Sequence, residues 1–140
     1  MRAVLDPNVL ISALLSRRGA PAQIVSRWRA GAFDLVVSEL VLLELRRALG
    51  YPKLSDRVSS READQFVELL RTAAHVADDP PVVQERSPDA GDDYLIALAE
   101  AERAFVVSGD QHLLGLAGTL PIRTAAEFLG MLGDEASTEP

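Results

Sequence analysis

The chain has 140 residues, 48% of them hydrophobic and 25% charged, which suffices for one domain that buries its own core. It has no cysteine, so disulfides, thiolate zinc sites and cysteine nucleophiles are excluded, and any metal must be held by oxygen or histidine. The net charge of −7 is uneven: residues 1–70 carry ten Lys or Arg against eight Asp or Glu, and residues 71–140 four against thirteen, hence +2 followed by −9.

Ala3 to Leu5 reads as a short strand, and Pro7 suits the first turn of a helix, where its missing amide is not needed. The segment MRAVLDPNVL is broken too early by Asp6 and Pro7 to be a leader or a spanning helix, so a cytoplasmic protein with no membrane segment is expected. PAQIVSRWRA (21–30) reads as a helix stopped by Gly31, and FDLVVS as a second strand. Ser38 then caps a leucine-rich helix over 39–49, which Gly50 and the Tyr-Pro pair end. Residues 60–73 carry Ala63, Phe66, Val67 and Leu70 at helical spacing. AHVAD reads as a third strand, and DDPPVVQERSPDAG as a long proline-marked loop. DYLIALAEAERA is an almost wholly apolar helix, AFVVS a strand, and PIRTAAEFLGML a short strand followed by a helix capped by Thr124. The expectation is a single domain over 1–133 with a frayed tail at 134–140. Strands alternating with helices predict a three-layer α/β/α fold, with a central parallel sheet and ligands beyond the carboxyl ends of its strands.

Four apolar runs end on acids: Asp6, Glu44, the pair Asp92 and Asp93, and Asp110. A carboxylate among apolar neighbours must be received by a cation or by hydrogen-bond donors. Several together suggest a divalent-metal site, and hard Mg²⁺ or Mn²⁺ suits oxygen ligands. Metal held in this way can supply what phosphodiester hydrolysis needs, namely a hydroxide at neutral pH, a polarised phosphoryl centre and a stabilised leaving oxygen. Asp6, Asp110 and one or both of Asp92 and Asp93 are the expected ligands, with Glu44 as ligand or water-orienting base. Ser108 and Asn8 are supporting candidates.

Each acid also has a plainer reading. Asp6 before Pro7 fits a helix cap, as do Asp92 and Asp93. Asp110 in Ser-Gly-Asp fits a turn former, and Glu44, at the edge of the stripe of Val41, Leu45 and Ala48, fits a solvated helix position. His75 and His112 show no paired ligand spacing and read as structural or surface residues, although His112 stands two positions from Asp110. Trp28, Phe33, Phe66, Phe105 and Phe128 fall in apolar periodicity and read as core or dimer contacts rather than base-stacking platforms.

An acidic chain is a poor nonspecific nucleic-acid binder, because counterion release needs clustered cations. That objection weakens if bound metal neutralises the acids and if Arg46, Arg47, Lys53, Arg57 and Arg61 form a basic rim. Arg17 and Arg18 beside Gly19, like Arg46 and Arg47, are candidate phosphate contacts.

These pieces resemble the PIN-domain family, in particular its single-domain VapC-like members, the toxins of toxin-antitoxin pairs. The resemblance is carried by LDPNVLIS, SELVLLELRRAL, DDYLIALA, VVSGDQHLL and IRTAAEFL, in that order over nearly the whole chain. It implies a Mg²⁺- or Mn²⁺-dependent endoribonuclease acting on RNA, a homodimer, and an antitoxin partner that blocks the site. On this resemblance Asp6, Glu44, Asp92 and Asp110 match the family's four acids, Asp92 because it stands seven residues before Ala99. Pro7 departs from the family pattern, which has a threonine or serine hydroxyl beside the first acid.

Two alternatives stand beside the ribonuclease: a catalytically silent PIN-like binding module, and a PIN-like nuclease acting on DNA or on structured 5′ ends. Other α/β classes are excluded by motif. The second Asp of a haloacid-dehalogenase-like phosphatase is missing after Asp6-Pro7-Asn8, and no Gly-rich loop ends in Lys-Ser or Lys-Thr. The single lysine, Lys53, is on the wrong element for a receiver-type phosphoacceptor domain.

Overall fold

The computed structural model of the protein describes residues 1–81 and 93–137, of which 134–137 by their backbone alone. Five strands, β1 (Arg2–Leu5), β2 (Asp34–Val37), β3 (His75–Val76), β4 (Phe105–Val107) and β5 (Ile122–Arg123), form one sheet in the order β3-β2-β1-β4-β5. All four pairings are parallel. Parallel strands need crossover connections, and here helices supply them: α1 (Pro7–Leu15), α2 (Ala20–Arg29), α3 (Glu39–Leu49), α4 (Pro52–Ser55), α5 (Ser60–Ala73), α6 (Asp93–Glu102), α7 (Gln111–Leu114) and α8 (Ala125–Ser137). The sheet flanked by helices is the expected three-layer α/β/α fold.

The central strands are apolar without alternation. Ala3, Val4, Leu5, Leu35, Val36, Val37, Val106 and Val107 are all buried, as a sheet covered on both faces requires. α6 packs against β1 and β4, while α1 bridges α2 and α3, α2 meets α8, and α3 meets α5. Phe128 of α8 is fully buried and takes Phe33 edge-on at 5.1 Å between ring centroids. Trp28, Phe33, Phe66 and Phe128 are core residues, as their spacing suggests.

The helix starts follow from side-chain caps. Ser38 Oγ accepts the Val41 amide at the start of α3, and Thr124 and Glu127 exchange hydrogen bonds at the start of α8. The same reciprocal pair, Ser59 with Glu62, caps α5, which runs over Ser60–Ala73 as its spacing predicts. Two departures from the sequence reading have local causes. The Tyr-Pro pair ends α3 but also opens the short α4, with Pro52 at its first position. The helix expected over DYLIALAEAERA stops at Glu102, because Arg103 turns into the left-handed region (φ 55°) and the Ala104 amide returns to the Ala99 carbonyl at 2.8 Å. α8 runs on to Ser137, beyond the segment PIRTAAEFLGML. No helix among the described residues is long and apolar enough to cross a membrane.

Candidate active site

The register of the two central strands builds the site. Leu5 of β1 lies opposite Val107 of β4, so the next residues, Asp6 and Ser108, leave the sheet side by side at its carboxyl end. The Asp6 amide donates to the Val107 carbonyl at 2.9 Å and holds the two strand ends together. Only 5% of Asp6 is exposed. Its Oδ1 accepts the Asn8 amide at 3.0 Å, which caps α1, and its Oδ2 accepts the Ser108 hydroxyl at 2.8 Å. The buried Ser108 Oγ in turn accepts the Asp110 amide at 3.0 Å. Asp110 Oδ1 accepts the His112 amide at 2.7 Å and the Leu113 amide at 3.4 Å, which starts α7. One hydroxyl therefore couples the two acids.

Burial pushes the Asp6 carboxyl above its ordinary range. The Asn8 amide and the Ser108 hydroxyl hold it back, and the charge of Asp110 adds to the rise. A buried carboxylate raised by desolvation and by a second acid is a group that a cation would stabilise in its charged form.

Beside it, a cleft of about 140 Å³ is lined by Asp6, Pro7, Asn8, Glu44, Ala48, Tyr94 and Leu95. Glu44 reaches it from the half-buried edge of α3, as its place on the helical wheel suggests, and pairs with Arg47 at 3.2 Å. Asp93, the first residue of α6, is buried at 2% exposure, immediately before the cleft residue Tyr94. Asp92 lies outside the described residues. His112, read as surface or structural, places Nδ1 3.9 Å from Asp110 Oδ1. His75 sits away from these acids on β3, with Nε2 3.0 Å from Glu102.

Other predicted residues are not brought to the cleft. Arg46 is turned to α5, where it pairs with Asp64 at 2.7 Å and donates to Ser60 Oγ at 3.0 Å. The basic rim expected from Arg46, Arg47, Lys53, Arg57 and Arg61 is thus depleted, because Arg46 and Arg47 are already neutralised by Asp64 and Glu44. Arg17 and Arg18 are exposed after α1. Tyr94 was missed by sequence reasoning, although its position directly after the acid pair and before an apolar helical run was a usable signal.

Among the described residues, no group of three or more His, Asp or Glu side chains is placed to hold a metal ion. The donor chemistry nevertheless suits a hard divalent cation. Mg²⁺ keeps much of its water and is commonly held by one or two carboxylates plus substrate phosphate, and Asp6 with Asp110, or Asp6 with Glu44, offers that number.

Parallel α/β/α layers with acids gathered at the carboxyl end of the two central strands define the class, and comparison with known proteins gives the family. The PIN domain model matches residues 2–112, so the chain belongs to the PIN domain family, whose members are in general nucleases. No curated protein matches it in sequence. Its fold is similar to that of PAE2754 from Pyrobaculum aerophilum, with a TM-score of 0.69, 20% identity, and 96% of each chain covered. It is also similar to VapBC-1 from nontypeable Haemophilus influenzae, with a TM-score of 0.61, 18% identity, and 90% of this chain and 99% of that one covered. A third similar fold is VapBC2 from Rickettsia felis bound to a DNA fragment from their promoter, with a TM-score of 0.60, 13% identity, and 89% and 98% covered.

Proposed function

We propose that this protein is a Mg²⁺- or Mn²⁺-dependent endoribonuclease and the toxin of a type II toxin-antitoxin pair, working as a single domain over 1–133 in the cytoplasm. The observation that carries the reading is the buried Asp6 carboxylate, coupled through Ser108 to Asp110 and sharing a cleft with Glu44. Asp6 and Asp110, with Asp92 or Asp93, would hold the metal. Bound there, it would supply a hydroxide near neutral pH and positive charge for the phosphoryl oxygens. Ser108 fixes the orientation of Asp6 and supports its charged form. Glu44, half-buried on the cleft wall, orients the attacking water or adds a ligand. Asn8 fixes Asp6 through its amide and faces the strand with its side chain. Arg17, Arg18 and Arg47 are the candidate phosphate contacts, while Arg46 is committed to α5.

The likeness in fold to VapBC structures supports an antitoxin as partner, and the exposed Leu40 and Leu43 on α3 support a homodimer. The reading is tested by titrating Mn²⁺ into the protein and into its Asp6→Asn variant by calorimetry, alongside cleavage of single-stranded RNA and DNA. Metal binding weakened by the substitution, with RNA cut only when metal is present, is the expected result. Equal binding by the two proteins, or cleavage undiminished in chelator, overturns it.

A second reading is the catalytically silent PIN-like module. It is favoured by Pro7 beside the first acid and by the lack of a three-donor cluster among the described residues. Mn²⁺ binding with no cleavage of any RNA or DNA would select it. DNA or structured 5′ ends cut in preference to single-stranded RNA would select the third.

A further inference from the structure

A second groove of about 320 Å³ opens on the other side of Asn8. Its apolar wall is Val9, Pro21 and Ala125, its polar groups are Asn8 and Ser12, and Asp110 stands at its edge. Asn8 lines both this groove and the Asp6–Glu44 cleft, so the two are neighbours. We infer that this groove seats one unstacked base of the nucleic-acid strand, the base next to the phosphate that a metal at Asp6 and Asp110 would hold.

The inference rests on the nuclease reading and adds what the strand does beyond the scissile bond. A nucleotide offers the protein a phosphate, a sugar and a base. No Lys or Arg lines the groove, and an acid stands at its edge, so the phosphate is not its occupant. An apolar wall with one amide and one hydroxyl suits a flat ring whose edge carries hydrogen-bonding groups, which is how single-stranded RNA is read once its bases are splayed out. The volume lies at the lower end of small-molecule sites, roughly 300–1,000 Å³, which fits one base rather than a longer ligand. No aromatic ring lines it, so contact and edge hydrogen bonds hold the base, and the gain falls at the low end of that for stacked bases.

The probes are the four ribonucleoside 5′-monophosphates, with ribose 5-phosphate as the baseless control, titrated in the presence of diamagnetic Mg²⁺ and followed by NMR. None of them contains a bond that the nuclease would cut. At least one monophosphate is expected to bind about 5- to 10-fold tighter than ribose 5-phosphate, with shifts at Ser12 and Ala125. Gly109→Leu and Ser12→Leu fill the groove. Ser12 is exposed, and a Cβ at Gly109 meets no atom within 4 Å, so neither substitution starts from a clash; a thermal melt matching the parent's shows that each variant is folded. They should abolish the advantage of the base while leaving Mn²⁺ binding and ribose 5-phosphate affinity at the parent's values, and Ser12→Ala should retain most of it. If no monophosphate exceeds ribose 5-phosphate, or if the filled variants keep the difference, the inference is wrong. Filled variants that lose only a protein partner would assign the groove to a peptide segment and overturn it equally. The Mn²⁺ titration separately judges the nuclease reading, since a missing base advantage leaves metal binding intact.

Discussion

Ser108→Ala tests the centre of the site, because a single buried hydroxyl serves both acids. The substitution removes the 2.8 Å hydrogen bond to Asp6 Oδ2 and the acceptor for the Asp110 amide at 3.0 Å, at a fully buried position. A hydrogen bond to a charged group contributes about 1.5–3 kcal/mol, and a donor left unsatisfied costs about 1–3 kcal/mol. The Asp110 amide is only part-buried, so water recovers much of the second quantity. The expected loss at pH 7 is about 2–3 kcal/mol, which lowers the urea midpoint by about 1–1.5 M at a slope near 2 kcal/mol per M. The loss depends on pH in a defined direction. Ser108 favours the charged form of Asp6, so its removal moves the folded-state pKa of Asp6 further up. Once Asp6 is protonated the donor matters less, and the gap between variant and parent should shrink as pH falls through that raised pKa. Urea unfolding of both proteins at neutral and at acid pH measures it, with Ser108→Thr as the variant that keeps the hydroxyl. A loss under about 0.5 kcal/mol at pH 7, or the same loss at every pH, would refute the coupling of the two acids through this hydroxyl.

Asp6→Asn should leave the metal-free protein at least as stable as the parent at pH 7, since it removes a desolvated charge that Asp110 opposes. The sign follows from linkage: Asp6 is raised in the folded state, so the parent loses stability as pH climbs from the ordinary aspartate range through the raised folded pKa, and the Asn variant should lack that decline in a series of thermal melts. Glu44→Gln should change stability by less than about 0.5 kcal/mol, because its pair with Arg47 is half-exposed and within one helix. It should nonetheless depress metal-dependent cleavage at least ten-fold; a destabilised but fully active variant would make Glu44 structural.

The elements legible in the sequence are those whose cause is local. The apolar strands, the Ser38 and Thr124 caps and the half-buried place of Glu44 on α3 all follow from residues within a few positions of one another. What escaped depends on distant partners or on very short elements. α7 is a single turn that exists because Asp110 receives two of its amides, and no periodicity can show four residues. Arg46 reads as a free cation on its own helix, yet its partner Asp64 lies on α5, 18 positions away in the chain. Spacing within α3 cannot contain that pairing.

The sequence poses a cap at Asp6, or a turn at Asp110, and catalysis as rival readings, and in the structure the first need not exclude the second. Asp6 caps α1 through Oδ1 while Oδ2 takes the Ser108 hydroxyl, and Asp110 spends Oδ1 on α7. In each case the cap is what fixes the carboxylate in place. A freely rotating acid would have to be ordered when it bound a cation, whereas these two are oriented beforehand by backbone amides. The cost is a buried charge that Asp110 makes worse, and the strand register that brings Asp6 beside Ser108 keeps that charge where it is. A protein needing only a cap at residue 6 could use a neutral asparagine or serine there. Retention of a charged, desolvated acid beside a second one is the feature that capping leaves unexplained and that a bound cation would account for.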